Sequence, residues 1–388
     1  MMVALDDIAV LATHARHVPA VERARFAARL RAGLSDHALV LETCHRVEGY
    51  VIATDDIGSS ELAGELPQGG TILVGKAAVR HAMAVAVGRD SVVFGEDQII
   101  HQLRGALDAA RSTDDFDAVL ERLFALALRA GRRSRSWRQG PPRSLADIAL
   151  ASIERRAGSL VGRDVLIVGR GVMGRLAARA AVAARASVSL TSRNEAGARA
   201  IAATVGARVE AFDPGRRAAD YAGIIVALAG PWPIGPATIE ALNAGSTVVV
   251  DLSVPAALPL PAVDGIAGRF VSADDLARSE ETPRSRDVGY LARSDALIDD
   301  TTDEFLAWVA GRSARSAAQA LVEQADRERE AELLALWRRR PDLDPEAREE
   351  IEEMTRRLAQ RLLSGPLKRL GRDADGHDES AVRDIFAL

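Results

Sequence analysis

The chain has 388 residues, of which 48% are hydrophobic, 27% charged and 4% aromatic. This length exceeds what one hydrophobic core usually organises, so two or three domains with mainly aliphatic cores are expected. The net charge of −5 and the pI of about 5.9 exclude a cationic surface over the whole molecule, so a polyanionic partner must meet a local basic patch.

The single cysteine and the N-terminal segment indicate the compartment of the protein. One cysteine, Cys44, cannot form an internal disulfide, which is typical of a reducing environment. The segment MMVALDDIAV has no basic residue ahead of its apolar residues, so a signal peptide is not expected. No apolar run approaches the roughly 18 residues that span a bilayer. A cytoplasmic protein without a membrane segment is therefore predicted.

Residues 1–142 are predicted to form a mixed α+β domain around Cys44. Apolar spacing predicts helices, short strands on both sides of the cysteine, and a later helix that carries His81. The predicted helices lie at 21–34 and 97–111, the strands at 37–44 and 49–54, a turn, strand and helix at 68–88, and an amphipathic helix with an Arg-rich linker at 120–143. Pro141 and Pro142 mark the end of this domain.

Residues 143–283 have a different pattern, in which strands alternate with helices. The segment 163–194 predicts an apolar strand, a Gly-rich turn, an Ala-rich helix and a second strand. Further apolar runs follow at 221–230 and 246–255. This alternation predicts a parallel, doubly wound sheet covered by helices on both faces.

The Gly-rich turn has the pattern G-x-G-x-x-G through Gly169, Gly171 and Gly174, with Val172 and Met173 between the last two. Glycines at this spacing allow a tight turn from strand to helix, a close approach to pyrophosphate and close packing of helix on strand. The helix N-terminus then stabilises the phosphate charge. We therefore expect a dinucleotide site here. The alternative is a glycine turn in an α/β fold without a nucleotide.

The end of the second strand indicates which dinucleotide is bound. A site selective for NAD usually has Asp or Glu there for the ribose hydroxyls. This chain has Thr191, Ser192, Arg193 and Asn194, which can donate to a 2′-phosphate and include no carboxylate to repel it. The sequence therefore predicts NADPH, with Arg193 as the phosphate partner; the alternative is a solvated arginine at a strand end.

Residues 284–388 lack strand patterns and are predicted to be all-helical. From 284 to 340 there is no proline, and apolar residues recur at roughly helical spacing. One helix through this window would be tens of ångströms long, at about 1.5 Å per residue. A connecting rod or a dimerisation arm is expected, although Gly289 or Gly311 could interrupt it.

Cys44 lies in a polar setting, between Thr43 and His45 and near Arg46. A thiol becomes a useful nucleophile when nearby positive charge stabilises its thiolate. Arg46, and also His45 or His81, are candidates for that charge. The alternative is a packed structural cysteine, since free cysteine is usually buried.

Two motifs resemble those of the glutamyl-tRNA reductase family. TCHRVE at 43–48 is similar to the family pattern T-C-N/H-R-x-E, and GRDSVVFGEDQIIHQ at 88–102 is similar to its second motif. The nucleotide turn, DLSVP, SADDL and LLSGPLKRL follow in the family's order, so the resemblance covers nearly the whole chain. It implies a catalytic domain at 1–142, a Rossmann-type NADPH domain at 143–283, and a spinal helix with a helical dimerisation domain at 284–388.

The resemblance implies NADPH-dependent reduction of glutamyl-tRNA to glutamate-1-semialdehyde, the first step of tetrapyrrole synthesis. Cys44 would attack the ester that joins glutamate to tRNA and form a thioester, which then accepts a hydride. A homodimer is implied, and the aminomutase that uses the semialdehyde would be a further partner.

The resemblance also assigns roles to individual residues. Cys44 would be the nucleophile, His81 would polarise the carbonyl or act as general acid, and Arg46 would hold the substrate carboxylate. The remaining pocket residues would be Thr43, Glu48, Ser91, Gln98 and Glu96, the last supporting its loop. Without the resemblance, His81 would be a core or surface histidine and Arg46 a salt-bridge partner of Glu42 or Glu48.

Some positions depart from the family pattern. Arg89 replaces an apolar residue, His101 replaces a glycine, and Ser364 replaces a histidine. A basic-acidic pair is replaced by Ala256 and Ala257. None of these residues is assigned to chemistry, but they leave open a divergent paralogue with altered use of aminoacyl-tRNA.

An arginine run near the end of the first domain is a candidate tRNA contact. Arginine clusters beside an aromatic residue suit phosphate contact and base stacking. The cluster consists of Arg129, Arg132, Arg133, Arg135, Arg138 and Arg143, close to Trp137. A solvated basic helix end is the alternative.

Two other functions remain open, a small-molecule NADP dehydrogenase and a non-catalytic regulator that binds tRNA or haem. The dehydrogenase leaves Cys44 and the GEDQ motif unexplained. A metal site is not expected, since one cysteine and scattered histidines offer no ligand spacing.

Overall fold

The computed structural model of the chain describes residues 3–33, 38–53, 64, 66–113, 116–138, 144–279, 288–370 and 385. The chain divides into two compact units: Asp7–Thr301, and Met1–Asp6 together with Thr302–Leu388. The predicted domain ends after residues 142 and 283, with Pro141, Pro142 and Arg143, lie outside the described residues.

The first sheet of the larger unit is antiparallel and has the strand order β2-β3-β1-β4. Strand β1 (Ile8–His14) lies between β3 (Arg46–Ile52) and β4 (Thr71–Val74), and β2 (Leu39–Glu42) pairs with the other edge of β3. All seven residues of β3 are buried, because the strand is central and covered on both faces. The two strands predicted around Cys44 are thereby confirmed as β2 and β3.

Helices pack against this sheet. They are α1 (Ala20–Gly33), α2 (Lys76–Val87), α3 (Gln98–Ala110) and α4 (Ala118–Arg135). Phe26 and Leu30 of α1 pack with Leu11 and Val51 of the sheet. Tyr50 of β3 meets Phe124 of α4 edge to face, with ring centroids 4.8 Å apart. The core of this region is therefore built on β3, the strand that follows Cys44.

The second sheet of the larger unit is parallel throughout and has the order β10-β9-β8-β5-β6-β7. Its strands are β5 (Asp164–Val168), β6 (Ser187–Thr191), β7 (Arg208–Val209), β8 (Gly223–Val226), β9 (Val248–Asp251) and β10 (Phe270–Ser272). Read from β7 and renumbered within this sheet, the strand order is 3-2-1-4-5-6, which is that of a Rossmann-type fold. In this fold, ligands bind where the strand order reverses, here beside β5. The predicted doubly wound sheet is confirmed.

Helices cover both faces of the parallel sheet. They are α5 (Leu145–Ala157), α6 (Val172–Ala183), α7 (Glu195–Val205), α8 (Pro236–Ala244), α9 (Leu260–Gly265) and α10 (Ala273–Ser279). One hydrophobic core contains Ile153, Ile167 and Ala177, and the other contains Trp232 and Ile224. Alanines dominate α6, which lets that helix approach the strands closely.

The described residues 288–370 form two helices, in agreement with the all-helical prediction. Helix α11 (Val288–Arg339) runs through 52 residues, or about 78 Å at 1.5 Å per residue, without a break at Gly289 or Gly311. Helix α12 (Pro345–Leu370) follows. Within the second unit, Phe305 and Leu321 are buried, and some large apolar residues are exposed, among them Leu334, Met354, Leu358 and Leu362.

No helix among the described residues is both long enough and apolar enough to cross a membrane. The same residues hold no group of three His, Cys, Asp or Glu side chains placed to bind a metal ion.

Candidate active site and nucleotide-binding turn

Cys44 lies in a tight turn between β2 and β3, and Thr43 fixes that turn. The Thr43 hydroxyl accepts the backbone N–H groups of His45 at 3.2 Å and Arg46 at 3.1 Å. The Thr43 N–H also donates to the Arg46 carbonyl at 2.9 Å. Cys44 as a whole residue is half-buried.

Burial raises the pKa of the Cys44 thiol, and the negative charge of Glu96 raises it further. The cation that lowers this pKa is Arg23. His45 does not supply charge, because burial lowers its pKa to about 4 and its Nε2 donates to the Ala273 carbonyl at 3.2 Å. In this state Cys44 is a protonated thiol at neutral pH.

Arg23 was missed by the sequence analysis. Its guanidinium is 1% exposed and donates to three oxygens: the carbonyls of Val18 and Cys44, each at 2.7 Å, and Asp274 Oδ1 at 2.9 Å. A sequence signal existed, because Arg23 shares the buried stripe of α1 with Phe26 and Leu30 at helical spacing. A charge on an apolar stripe indicates a specific partner.

Beside the cysteine turn, Glu48 is the centre of a buried network. It is 1% exposed, and its carboxylate accepts from Arg46 Nη1 at 2.8 Å, His81 Nε2 at 2.9 Å and the Tyr50 hydroxyl at 2.8 Å. Burial alone would raise the pKa of Glu48, but His81 and Arg46 outweigh it and the pKa is lowered. Burial would lower the pKa of His81, but Glu48 raises it overall. His81 is therefore disposed to carry a proton.

Arg46 is 2% exposed and is bound to two acids. Its Nη1 contacts Glu48 and also Asp90 Oδ2 at 3.1 Å, and its Nη2 donates to the Asp90 carbonyl. Of the two partners considered from the sequence, Glu48 pairs with Arg46, whereas Glu42 pairs with Arg31 at the surface. The planar guanidinium is thus held in one orientation, with N–H groups beyond those that Glu48 and Asp90 use.

His14 is a second residue that the sequence analysis missed. It lies opposite Arg46 in the β1–β3 pair. Its Nδ1 accepts the Arg16 N–H at 3.1 Å, so a neutral ring carries its proton on Nε2, which is buried and has no hydrogen-bond partner among the described residues. Burial and the charge of Arg46 lower the pKa of His14 to about 3. No pattern beyond its place at the end of β1 pointed to it.

The GEDQ motif at 95–98 forms the turn before α3 and the first residue of that helix. Burial raises the pKa of Glu96 to about 7. Arg135 donates to the Glu96 carbonyl at 3.1 Å, and Arg138 donates to the Gly95 carbonyl at 3.0 Å. These two members of the predicted tRNA patch therefore hold this loop in place.

Ser91 lies ahead of the same loop and is 9% exposed. Its hydroxyl is buried beside the carboxyl of Glu96 and acts to lower the pKa of that group.

The glycines at the nucleotide turn have different surroundings. Gly169 has a φ of +123°, and a Cβ there would lie 2.1 Å from the Ala227 carbonyl oxygen. A Cβ on Gly174 would lie 2.1 Å from the Gly169 carbonyl oxygen, whereas a Cβ on Gly171 would meet nothing within 4 Å. The N-cap residue of α6, Gly171, makes no side-chain cap hydrogen bond, so the first N–H groups of the helix are not capped there. This cradle fits the pyrophosphate of a dinucleotide.

The polar residues after β6 are partly occupied by local bonds. The Ser192 hydroxyl donates to the Asn194 carbonyl at 2.7 Å, and Asn194 Oδ1 accepts the Gly197 N–H at 2.8 Å as a cap of α7. Arg193 is exposed and donates to the Pro231 carbonyl at 2.8 Å. The Thr191 hydroxyl is buried without a partner among the described atoms.

The cysteine region and the nucleotide turn touch each other. The Gln98 amide donates to the Met173 sulfur at 3.0 Å, which joins the GEDQ motif to the glycine turn. On another side, Ala273 and Asp274 at the start of α10 contact His45 and Arg23. The structure thus brings together the two sets of residues that the sequence analysis selected separately.

The departures from the family pattern lie away from these contacts. Arg89 pairs with Asp295 of α11 at 2.9 Å, and His101 is exposed on α3. The backbone N–H of Ala257 donates to the buried Asp251 at 2.7 Å, a role that needs no side chain. The Ser364 hydroxyl donates to the carbonyl of Arg361 in its own helix.

Comparison with known proteins gives one consistent family. Residues 8–137 match the sequence model of "Glutamyl-tRNAGlu reductase, N-terminal domain", and residues 293–388 match its dimerisation domain. Residues 151–278 match "Shikimate / quinate 5-dehydrogenase".

Individual relatives cover most of the chain. A glutamyl-tRNA reductase of Halobacterium salinarum is 34% identical over 361 residues, which cover 89% of this chain and 82% of the relative. One of Salinibacter ruber is 30% identical over 95% of this chain and 80% of the relative. The solved structure of the Methanopyrus kandleri glutamyl-tRNA reductase is similar in fold, with a TM-score of 0.52 and 23% identity over 98% of both chains.

Proposed function

The chain belongs to the glutamyl-tRNA reductase family of oxidoreductases, and from that premise we propose that it reduces glutamyl-tRNA with NADPH to glutamate-1-semialdehyde and releases tRNA. This reaction would be the first step of tetrapyrrole synthesis. One observation carries the proposal: a half-buried cysteine lies beside a buried Glu48–His81–Arg46 network, in a domain that contacts a glycine cradle for a dinucleotide.

In the first step, the Cys44 sulfur bonds to the carbonyl carbon of the glutamyl ester. The bond from that carbon to the ribose oxygen of tRNA then breaks, and a thioester remains on Cys44. The glycine turn would hold NADPH, which would supply a hydride to the thioester carbon. The bond from that carbon to the Cys44 sulfur then breaks, which releases the semialdehyde and leaves a thiolate that takes back its proton. A thioester accepts hydride more readily than an oxygen ester, which is the physical reason for a covalent step.

The thiol must lose its proton before or during attack, because its pKa is raised. Glu96 acts on the thiol through its charge and has a pKa of about 7, so it can accept a proton near neutral pH. We assign Glu96 this role in addition to its predicted place in the substrate pocket.

His81 supplies a proton on the other side of the site. Glu48 holds its ring by a 2.9 Å hydrogen bond and favours the charged form. A protonated His81 polarises the substrate carbonyl or protonates the departing ribose oxygen. Its partner Glu48 keeps the ring in one orientation.

The glutamate side of the substrate meets the remaining pocket residues. Arg46 binds the substrate carboxylate with N–H groups that Glu48 and Asp90 do not use. The Ser91 hydroxyl and the Gln98 amide supply polar contacts, and Thr43 shapes the cysteine turn.

NADPH is favoured over NADH by the residues after β6. Arg193 is exposed there, the Thr191 hydroxyl is unpartnered among the described atoms, and no acid follows before Glu195. Ser192 and Asn194 shape the loop that presents Arg193, while Val172 and Met173 begin the helix whose N-terminus would hold the pyrophosphate.

The proposed partners follow from the same activity. Glutamyl-tRNA would contact the exposed arginines Arg129, Arg132 and Arg133, which remain from the predicted patch. Two chains would pair through 284–388, where apolar residues of α12 are exposed. An aminomutase that takes the reactive semialdehyde would complete the set, in a reducing cytoplasm.

The test is intact-mass analysis after incubation with charged glutamyl-tRNA. Without NADPH, the protein should gain one glutamyl group, and addition of NADPH should remove it and yield semialdehyde. Cys44→Ser should show neither the adduct nor the product but should bind NADPH like the wild type.

Other outcomes exclude the proposal. Product formation by Cys44→Ser would exclude the thioester route. A small-molecule dehydrogenase, which the match at 151–278 would favour, should keep its turnover in Cys44→Ser.

A further inference from the structure

The contact between the cysteine turn and the start of α10 has a feature that the proposed chemistry does not use. Arg23 from α1 and Asp274 from α10 form an ion pair of 2.9 Å, whose members come from the two regions that carry the nucleophile and the nucleotide turn. Arg23 is 1% exposed and the Asp274 side chain 13%. A pair so placed is desolvated, and it persists only when its geometry is good.

Arg23 connects Asp274 to the nucleophile itself. The same nitrogen, Nη2, donates to Asp274 Oδ1 and to the Cys44 carbonyl at 2.7 Å, while Nη1 donates to the Val18 carbonyl at 2.7 Å. Three oxygens in fixed directions match the planar fork of a guanidinium, which an ammonium cannot reproduce. The backbone of Cys44 is therefore held from outside its own turn.

Asp274 makes a second contact with the same region. Its Oδ2 accepts the N–H of Ala20, the first residue of α1, at 3.0 Å. This N–H has no intrahelical partner, so a carboxylate there acts as an N-cap supplied from the other sheet's domain. Both oxygens of Asp274 thus hold α1, and α1 carries Arg23.

A third contact also joins the cysteine turn to the start of α10. The His45 ring, next to the cysteine, donates to the Ala273 carbonyl at 3.2 Å. The turn that carries the thiol is thus fixed to α10 at His45 directly and at Cys44 through Arg23.

We propose that Arg23 and Asp274 are positioning residues for Cys44, and that they make the orientation and reactivity of its thiol depend on contact with the nucleotide-binding domain. Arg23 sets the direction of the Cys44 backbone and is the cation whose charge favours the thiolate. Asp274 sets the direction of Arg23 and offsets part of its charge. This inference rests on the proposed role of Cys44 as nucleophile.

The proposal predicts that loss of the Arg23 charge and loss of the Asp274 charge shift the pKa of the Cys44 thiol in opposite directions. Arg23→Gln removes the cation beside Cys44, so the thiol titrates at higher pH. Asp274→Asn keeps the shape and the Ala20 contact but removes the anion that offsets Arg23, so the thiol titrates at lower pH. If both substitutions only loosened the turn, the pKa of the Cys44 thiol would shift in the same direction in both variants.

The test measures the rate of Cys44 alkylation by iodoacetamide against pH in the full chain, whose single cysteine makes the label unambiguous. At neutral pH we expect about a tenfold slower rate in Arg23→Gln and a several-fold faster rate in Asp274→Asn. Arg23→Lys keeps the charge and should keep the wild-type profile. Asp275→Asn is the matched control, since Asp275 binds Ser272 and Arg278 instead.

Turnover is then measured on the same proteins with glutamyl-tRNA and NADPH. In Arg23→Lys and Asp274→Asn we expect kcat to fall about tenfold or more with little change in NADPH affinity, because orientation is lost while the binding cradle is intact. The proposal is overturned if the two charge-removing variants shift alkylation in the same direction, or if Arg23→Lys has wild-type kcat. The alkylation profile needs no substrate, so failure of the proposed reaction would be recognised separately.

Discussion

In the pocket around Cys44, charged side chains are buried and paired with one another, as in the Glu48–His81–Arg46 network. At the turn from Gly169 to Gly174, the polar groups are backbone N–H groups with no described side-chain cap, and the space before them is open. The first region is organised before any ligand arrives. The second is completed by its ligand, so substitutions in the two regions should have different consequences.

The largest effect is expected at the centre of the buried network. Glu48→Gln removes the negative charge that His81 and Arg46 share, and should lower the free energy of unfolding by about 3–5 kcal/mol, since His81 loses its anionic partner and buried Arg46 keeps only Asp90. Urea unfolding at pH 7 measures this. Glu42→Gln, in an exposed pair with Arg31, is the matched control and should change it by less than about 1 kcal/mol. Equal effects of the two variants would contradict the comparison.

A smaller change in the free energy of unfolding, in the stabilising direction, is expected for Glu96→Gln. Its pKa in the folded chain, about 7, lies above the ordinary value of 4.5, so the folded state binds the proton more tightly than the unfolded state. The stability of the wild type therefore falls as pH rises from about 4.5 to 7. Glu96→Gln cannot ionise and should be more stable than the wild type by about 2–3 kcal/mol at pH 8.

At pH 4.5 the gain from Glu96→Gln should nearly disappear, since the wild-type carboxyl is then protonated in the folded state. Thermal unfolding at the two pH values measures the difference, again with Glu42→Gln as control. A gain independent of pH would mean that the buried charge is not the cause.

The glycine turn should separate binding from stability. Gly171→Ala adds a Cβ where no protein atom lies within 4 Å, so folding should be unaffected, but the methyl group occupies ligand space. We expect NADPH to bind about tenfold more weakly, a loss of about 1.4 kcal/mol. Gly174→Ala instead places a Cβ 2.1 Å from the Gly169 carbonyl oxygen and should lower the melting temperature. Gly268→Ala, with open space and no ligand, should change neither.

The smallest effect is expected at Arg193, because the side chain is exposed and its ion pairs are screened by water. Arg193→Ser should lower the preference for NADPH over NADH by about fivefold, near 1 kcal/mol. Fluorescence titration with both cofactors measures the ratio. Arg199→Ser, which breaks only an exposed pair with Glu195, should leave it unchanged. An unaltered ratio in Arg193→Ser would assign the preference to other residues.

The two regions also differ in how well the sequence predicted them. The strand, glycine turn and helix at 164–183 are as predicted, because three glycines at fixed spacing after an apolar strand specify this local conformation. The strands around Cys44 and the helices now numbered α1 and α3 were likewise predicted close to their observed ends. Local periodicity determines such elements.

The electrostatics of the cysteine were not predicted correctly. From the sequence, Arg46, His45 and His81 are the predicted candidates for the positive charge that stabilises the thiolate. Arg46 and His81 are bound to Glu48, and His45 is held neutral. The cation beside the thiol is Arg23, which is 21 residues away in the chain. Proximity in sequence could not identify Arg23, because α1 and the turn between β2 and β3 meet only after folding.

The arginine run shows the same limit. Six arginines without an acid predicted a nucleic-acid contact, yet Arg135 and Arg138 hold the carbonyls of Glu96 and Gly95. A charge run is ambiguous in sequence, because a guanidinium serves equally well for a phosphate and for loop carbonyls. Only the position of the GEDQ loop against α4 decides between them.

The sequence by itself determined the family, the Rossmann-type sheet, the long C-terminal helix and the motif that holds Cys44, since each depends on local spacing or on a short motif. The tertiary structure decided which charges surround the thiol, which carboxyl titrates near pH 7, and which domain holds the cysteine turn. These properties depend on burial and on distances of a few ångströms between residues far apart in the chain, and no local pattern encodes them.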